Sequence, residues 1–212
     1  MSMLTIAIAK GRILDSMRPL WEAAMNVWPI PDSTRQLWFP PSAQTPGVLI
    51  ARARDIPTMV SLGVADLGVV GLDVLREYPQ PDILEVADLK ISQCRIVMAG
   101  SHDSWPEGPV RIATKYPRIA RQFLEQHHIS GELVALSGSL ELAPVLGLAP
   151  YIVDIVDTGQ TLFEHDLHEI FTIMASSARL IANPAHWYTK AEAQEFRDVM
   201  VCQREEVGNV QR

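Results

Sequence analysis

An α/β fold is the architecture this sequence predicts. Short apolar runs alternate with amphipathic segments over most of its 212 residues, the rhythm of helices laid on strands buried on both faces. Apolar residues make up 48% of the chain and charged residues 20%, which suits a folded globular protein and excludes disorder or a collagen-like structure. At about 150 residues per domain, the length allows one large domain or two small lobes, with a core that needs no staples.

Leu4 to Ala9 reads as the first strand. Ile13 to Met25 follows as a helix, because Ile13, Leu14, Met17, Leu20, Trp21 and Ala24 recur at helical spacing. The stretch from Trp28 to Gly47 breaks the rhythm. It carries Pro29, Pro31, Pro40, Pro41 and Pro46, which fit neither a helix interior nor a central strand. It is expected to be a surface loop or flap that exposes Trp38 and Phe39 as a subunit contact. Val48 to Ala51 is the next strand, leading to a helix that opens at Asp55-Ile56-Pro57 with Asp55 as its cap and Pro57 in its first turn. Further strands are predicted at Leu67–Val70, Ile83–Val86, Arg95–Ala99, Arg111–Ala113, Leu133–Leu136, Ile152–Val156 and Ile170–Met174. Helices such as Pro117–His127 and Glu141–Leu146 separate them, and Lys190–Glu205 forms a terminal helix. No repeat or linker divides the chain into independently folding halves, as expected of lobes that exchange strands.

The formal charge of −7 argues against a protein that coats nucleic acid, since that work needs a basic face. Any anionic ligand must be held by a local cluster. Cys94 and Cys202 are far apart and form no CxxC pair, so neither a disulfide framework nor a thiolate zinc site is supported and a reducing cytoplasm fits best. Met1 to Lys10 lacks the pattern of a signal peptide, and no apolar run approaches the roughly 20 residues of a membrane span.

Ligands of open α/β sheets bind beyond the carboxyl ends of strands, so polar residues directly after strands come first in the search for a site. The strongest signal is Asp154-Ile155-Val156-Asp157-Thr158-Gly159-Gln160-Thr161-Leu162. A strand runs through Asp154 into Thr-Gly-x-Thr at the start of a helix. There Gly159 permits a tight turn, and hydroxyl and backbone N–H groups can converge on a phosphate. Asp154 would accept hydrogen bonds from ribose hydroxyls or help hold a magnesium ion. The plainer alternative is a strand followed by a turn capped by Asp157 or Thr158. Lys10-Gly11-Arg12 follows the first strand, and Arg52 and Arg54 follow the second. These cations either clamp phosphates or form solvated basic turns.

Other groupings carry less. The histidines and carboxylates of Glu164–Glu169 suit a solvated loop better than zinc. His127 and His128 suit helix capping, and Cys94 an inert packed thiol. Trp21, Trp28, Trp38, Trp105 and Trp187 have no spacing that suggests a platform for bases.

These residues resemble the ATP phosphoribosyltransferases that begin histidine biosynthesis. The resemblance runs through Ile6–Arg12, Arg52–Pro57, Gly63–Asp73, Ala113–Pro117 and Ser177–Asn183, and through a signature from Glu141 by Gly147, Ala149, Ile152 and Asp154 to Thr158–Leu162. It implies a two-lobed fold like that of type II periplasmic binding proteins, with the active site in the interlobe cleft. The implied lobes are 1–91 with 177–212, and 92–176. The implied reaction joins N1 of ATP to C1 of 5-phosphoribosyl 1-diphosphate, with Mg2+ present and diphosphate released. Thr158, Gly159, Gln160, Thr161 and Leu162, entered through Asp157, would hold the 5-phosphate. Asp154 would hold the ribose hydroxyls or Mg2+. Lys10, Arg12 and Arg52 would face the diphosphate or the ATP phosphates, while Arg35, Asp66, Gly71 and Asp73 are further cleft candidates and Ser139 and Glu141 support the ribose side.

The length resembles the short form of the family, which lacks a C-terminal regulatory domain and works in a hetero-oligomer with a regulatory subunit similar to a histidyl-tRNA synthetase. In Asp32-Ser33-Thr34-Arg35 the family has Ser directly before Arg, so Thr34 is an insertion that displaces Arg35. The readings left beside this one are a free-base phosphoribosyltransferase and a non-enzymatic ligand-sensing module of the same fold.

Overall fold

The computed structural model describes residues 4–102, 104 and 108–210, with side chains of 206–210 excepted. Trp105 and the terminal residues Met1 and Arg212 lie outside the described residues. In chain order the first elements are β1 (Thr5–Ala9), α1 (Arg12–Met25), β2 (Trp38–Phe39), β3 (Gly47–Ala51), α2 (Ile56–Ser61), β4 (Leu67–Gly71), α3 (Leu72–Glu77) and β5 (Leu84–Asp88). There follow β6 (Cys94–Gly100), β7 (Val110–Thr114), α4 (Pro117–Gln126), β8 (Gly131–Ala135), α5 (Leu142–Val145), β9 (Tyr151–Val156), α6 (Gln160–Glu164) and β10 (His168–Ser176). The chain closes with β11 (Ala178–Ala182), α7 (Pro184–Thr189) and α8 (Ala191–Val210). Two compact units result, Met1–Ser92 with Ser177–Arg212, and Gln93–Ser176.

The first unit is built on a sheet of order β2-β3-β1-β4-β11-β5. Strands β3, β1 and β4 are parallel, while β2 and β11 run antiparallel to their neighbours. Side chains alternate across β1: Ile6 and Ile8 enter one core with Trp21 of α1 and Phe196 of α8, whereas Ala7 and Ala9 enter the other with Ile56 and Val60 of α2. The small alanines give α2 room to sit close to the sheet. The second unit has the order β10-β6-β9-β7-β8, with β7, β8 and β9 parallel and β6 antiparallel to β9 and β10. Its core again has two faces: Ile112 and Val153 meet Ile119 and Phe123 of α4, while Ala113 and Ile152 meet Ala143 of α5 and Leu162 of α6.

Several expectations change. Full burial holds for β4 and, beyond Thr5, for β1, but not for β5 or β8, which lie at sheet edges and alternate only weakly. Within the proline-rich segment Trp38 and Phe39 form a short antiparallel edge strand on β3, a position proline-flanked chain can occupy because no second ladder is required. Phe39 is buried against β1 and β3 neighbours rather than exposed, while Trp38 stays exposed. Asp55 makes no capping bond, because a 3-10 turn over Ala53–Asp55 already enters α2 and Asp55 pairs with Arg54 at 3.5 Å instead. His127 stands at the C-cap position of α4, as expected, and its ring also packs 4.6 Å from Phe123 and 5.0 Å from Phe171. Of the Glu164–Glu169 loop, His168 and Glu169 belong to β10.

Candidate active site

In the first unit the carboxyl ends of β3, β1 and β4 open on one edge of the sheet, because those strands are parallel. Lys10-Gly11-Arg12 follows β1, Arg52 follows β3, and Gly71 ends β4. The Lys10 N–H donates to the Ala51 carbonyl at 2.9 Å, which sets the Lys10 and Arg52 loops side by side. Lys10 and Arg52 are exposed, and no carboxylate lies within ion-pair distance of either among the described residues. Arg12 is tied down: its Nη2 donates to the Ser92 carbonyl at 3.4 Å, and Ser92 Oγ donates to the Arg12 carbonyl at 3.2 Å.

Lys10 and Arg35 line a cavity of about 590 Å³ with apolar walls from Leu14, Trp28, Ile30 and Ile50. The loop that carries Arg35 is pinned to α1 by Arg18, which bonds Asp32 at 2.6 Å and Glu22 at 2.9 Å. Asp73 is buried, and its Oδ1 would lie 2.2 Å from a Cβ at Gly71. Only glycine leaves that carboxylate its place.

Asp66 is not with this group. It precedes β4 and so stands at the opposite end of the strand from Gly71. Its buried carboxylate accepts from Thr5 N at 2.7 Å and Lys190 Nζ at 2.5 Å, and lies 2.7 Å from His186 Nδ1. These contacts join the α7–α8 segment to β1, a structural task that explains the residue without a ligand. A second such cluster surrounds Asp88. Burial alone would raise its pKa, but hydrogen bonds from Ser177 Oγ and Lys90 N, with Arg179 and Arg204 nearby, hold it below the ordinary carboxylate value.

In the second unit the carboxyl ends of β7, β8 and β9 share an edge for the same reason. That edge receives Lys115, the segment 136–141 with Ser139 and Glu141, and the turn Asp157 to Thr161. Gly159 adopts φ 86°, ψ 0°, the left-handed conformation that lets β9 turn directly into α6. Neither Asp157 nor Thr158 caps α6: Gly159 is the cap position and takes no side-chain bond. Thr158 Oγ1 accepts only a long contact from Gln160 N, 3.4 Å. Apart from that contact, the first amides of the turn have no helical carbonyl behind them.

Two residues that sequence reasoning did not assign complete this edge. Lys115 Nζ lies 2.9 Å from Asp154 Oδ1; its signal was available, since it directly follows the apolar run of β7. Arg95 had no such signal. It stands near the start of β6, and only the antiparallel pairing with Val156 brings it to the turn. Its Nη1 donates to the Asp157 carbonyl at 3.1 Å, and its Nε and Nη2 donate to Glu169 Oε2 at 2.9 and 2.7 Å. The hydrogen bond from Arg95 holds the Glu169 carboxyl below its ordinary pKa against the opposing effect of burial, and Glu169 in turn raises that of Arg95.

Asp154 is a poor candidate for a metal ligand. Its Oδ1 faces the Lys115 ammonium and also accepts Ile155 N at 2.7 Å, and among the described residues no group of three or more His, Cys, Asp or Glu could hold an ion. No helix among the described residues is long and apolar enough to cross a membrane.

Comparison with known proteins places the chain in a family. The family model described as HisG, ATP phosphoribosyltransferase, matches residues 52–201. An ATP phosphoribosyltransferase of Pseudomonas fluorescens (strain Pf0-1) is 43% identical over 185 residues, covering 86% of this chain and 88% of that protein. The Pseudomonas aeruginosa PAO1 protein of the same name is 44% identical over 186 residues with the same coverage. Among solved structures, the ATP phosphoribosyl transferase (HisG:HisZ) complex from Thermotoga maritima matches with a TM-score of 0.81 and 31% identity, covering 96% of this chain and 100% of that one. The alkanesulfonate-binding protein SsuA from Xanthomonas axonopodis pv. citri matches at 0.57 and 12% identity, over 100% of this chain and 78% of that one, and shows the shared two-lobed fold alone. Likeness of this degree over this much of the sequence identifies an enzyme, a pentosyltransferase of the first step of histidine biosynthesis: the chain belongs to the ATP phosphoribosyltransferase family.

Proposed function

We propose that the carboxyl edge of the first sheet receives the diphosphate and the ATP phosphates, and that of the second receives the phosphoribosyl 5-phosphate. The observation that carries the first assignment is the adjacency of the Lys10 and Arg52 loops, whose exposed cations have no carboxylate within ion-pair distance among the described residues. Charges left uncompensated on a protein of net charge −7 suit a polyanionic ligand. Arg12, held against Ser92, adds a third cation, and Arg35 faces the same cavity as Lys10. In the second unit the left-handed turn at Gly159 supports the 5-phosphate assignment. Asp154 accepts from ribose hydroxyls in this reading, which its orientation by Lys115 supports.

The reaction needs no nucleophilic side chain. N1 of ATP supplies the electron pair for the new bond to C1, the C1–O bond to diphosphate breaks, and positive charge gathers on the ribose in an oxocarbenium-like transition state. The task of the protein is therefore to orient the reactants and neutralise the leaving group. Arg52 and Lys10 do so from the chain's side. A Mg2+ bound with the substrate would be held by its diphosphate oxygens, while Asp154 Oδ1 stays turned to the Lys115 ammonium. Consumption of these metabolites fits the cytoplasm. The HisG:HisZ nature of the Thermotoga relative supports a hetero-oligomer with a regulatory subunit of that kind. Neither a free-base transferase nor a ligand-sensing module is favoured by a family match that includes Arg52 and the whole of Thr158–Leu162.

Mass detection of product tests the assignment. The purified chain is mixed with magnesium, phosphoribosyl diphosphate, and ATP or free bases, with and without the regulatory subunit. A phosphoribosyl adduct of ATP is expected; an adduct of a free base alone would overturn the reading.

A further inference from the structure

We infer that Arg95 is a positioning residue for the 5-phosphate turn, and that Glu169 and Thr172 hold it in that role. The inference rests on the reading that Thr158–Leu162 receives the 5-phosphate.

The guanidinium uses its two edges differently. Its Nε/Nη2 edge is taken by Glu169 Oε2 at 2.9 and 2.7 Å, and its Nη1 donates to the carbonyl of Asp157 at 3.1 Å. Glu169 is fixed in turn by Thr172, whose hydroxyl donates to Oε1 at 2.5 Å. The backbone beneath is equally constrained, since Arg95 pairs with Val156 on one side and Ala175 on the other. The Asp157 carbonyl and the Thr158 N–H belong to one planar peptide group and point in opposite directions. Holding that carbonyl toward Arg95 therefore aims the first amide of the turn away from it, toward the ligand side. Gly159, whose Cβ position would stand 4.0 Å from Arg95 Nη2, completes the turn at φ 86°.

Arg95 is thus a scaffold more than a phosphate ligand. Its charge is already matched by Glu169, unlike that of Lys10 or Arg52, and its side chain is only about one-third exposed, 36%. Lysine cannot replace it, because a single ammonium lacks the planar fork that reaches Glu169 and the carbonyl together.

The test measures binding of ribose 5-phosphate by calorimetry on the full chain, and KM for phosphoribosyl diphosphate and for ATP on the active assembly. Arg95→Lys is expected to weaken ribose 5-phosphate about tenfold and to raise KM for phosphoribosyl diphosphate by a similar factor, leaving KM for ATP unchanged. Glu169→Gln moves both in the same direction by about threefold. Methylguanidinium added to Arg95→Gly restores part of the lost affinity. Unchanged ribose 5-phosphate affinity in folded Arg95→Lys overturns the inference; if that variant does not fold, unchanged affinity in Glu169→Gln does so. Thr161→Ala separates the two readings. If it weakens ribose 5-phosphate while Arg95→Lys does not, the positioning role alone fails; if it too changes nothing, the turn is not the phosphate site.

Discussion

The Lys115 ammonium stands 2.9 Å from Asp154 Oδ1, with the two side chains 33% and 22% exposed. The pair joins the residue that follows β7 to the middle of β9, so a cation aims the carboxylate assigned to the ribose. Asp154→Asn should weaken phosphoribosyl diphosphate by about tenfold, roughly 1.4 kcal/mol. Lys115→Met should do so by a smaller factor, because it leaves the acceptor in place but unaimed. Calorimetric titration of each variant checks this, and an unaltered Asp154→Asn would remove the residue from the ribose site.

Arg52 follows β3 at the exposed edge of the first sheet and has no carboxylate beside it among the described residues. Folding therefore depends little on it, while a departing diphosphate would depend on it strongly. Arg52→Ala is expected to lower kcat by about 10² to 10³ and to change stability by no more than about 0.5 kcal/mol. Parallel kinetics and thermal melts read the two effects; a fall in stability with unchanged turnover would reverse the assignment.

Asp88 and Glu169 both have carboxyl pKa values held below the ordinary range, whose usual centres are about 3.9 for Asp and 4.3 for Glu. A lowered folded-state value means that the ionised form favours the native chain. The stabilisation is thus present above about pH 4 and is lost as pH falls through the folded-state values. Melting temperature should drop as pH is taken from about 5 to 3. In Arg95→Met the drop should be shallower, because Glu169 then titrates nearer its unfolded value. An identical pH profile in the variant would count against the Arg95–Glu169 pair.

Gly71 lies under the Asp73 carboxylate, 2.2 Å from where a Cβ would sit. Its backbone is extended, φ −68° and ψ 146°, so alanine strains nothing but that contact. Gly71→Ala should cost about 1–3 kcal/mol by displacing a buried carboxylate. Adding Asp73→Ala should recover part of that loss, and a double-mutant cycle in denaturant measures the coupling. Simple additivity would show that the two residues do not meet.

The strands β1, β3, β4, β6, β7 and β9 could be read from sequence because each is mainly apolar, with Arg95 in β6, Arg111 in β7 and Asp154 in β9 as the charged residues, a pattern that suits burial on both faces. The same runs point to their own carboxyl ends, where Lys10, Arg52 and Thr158–Leu162 stand. Short elements were not legible this way: α3 and α7 span six residues each, too few for a helical period to emerge. Strand β11 carries a charge at Arg179, as β7 does at Arg111, and that guanidinium finds Glu85 and Asp88 only once β11 lies beside β5. Asp66 shows the limit most plainly. It is an acidic residue at a strand boundary, one residue from the start of β4, yet it faces Thr5 and Lys190 at the end opposite Gly71. Arg95 is the converse, placed beside the Asp157–Thr161 turn by its antiparallel pairing with β9 and by nothing in its neighbourhood along the chain. Local chemistry is written in runs of adjacent residues, but strand direction and register come from contacts between distant segments. Those contacts decide which side chains share an edge.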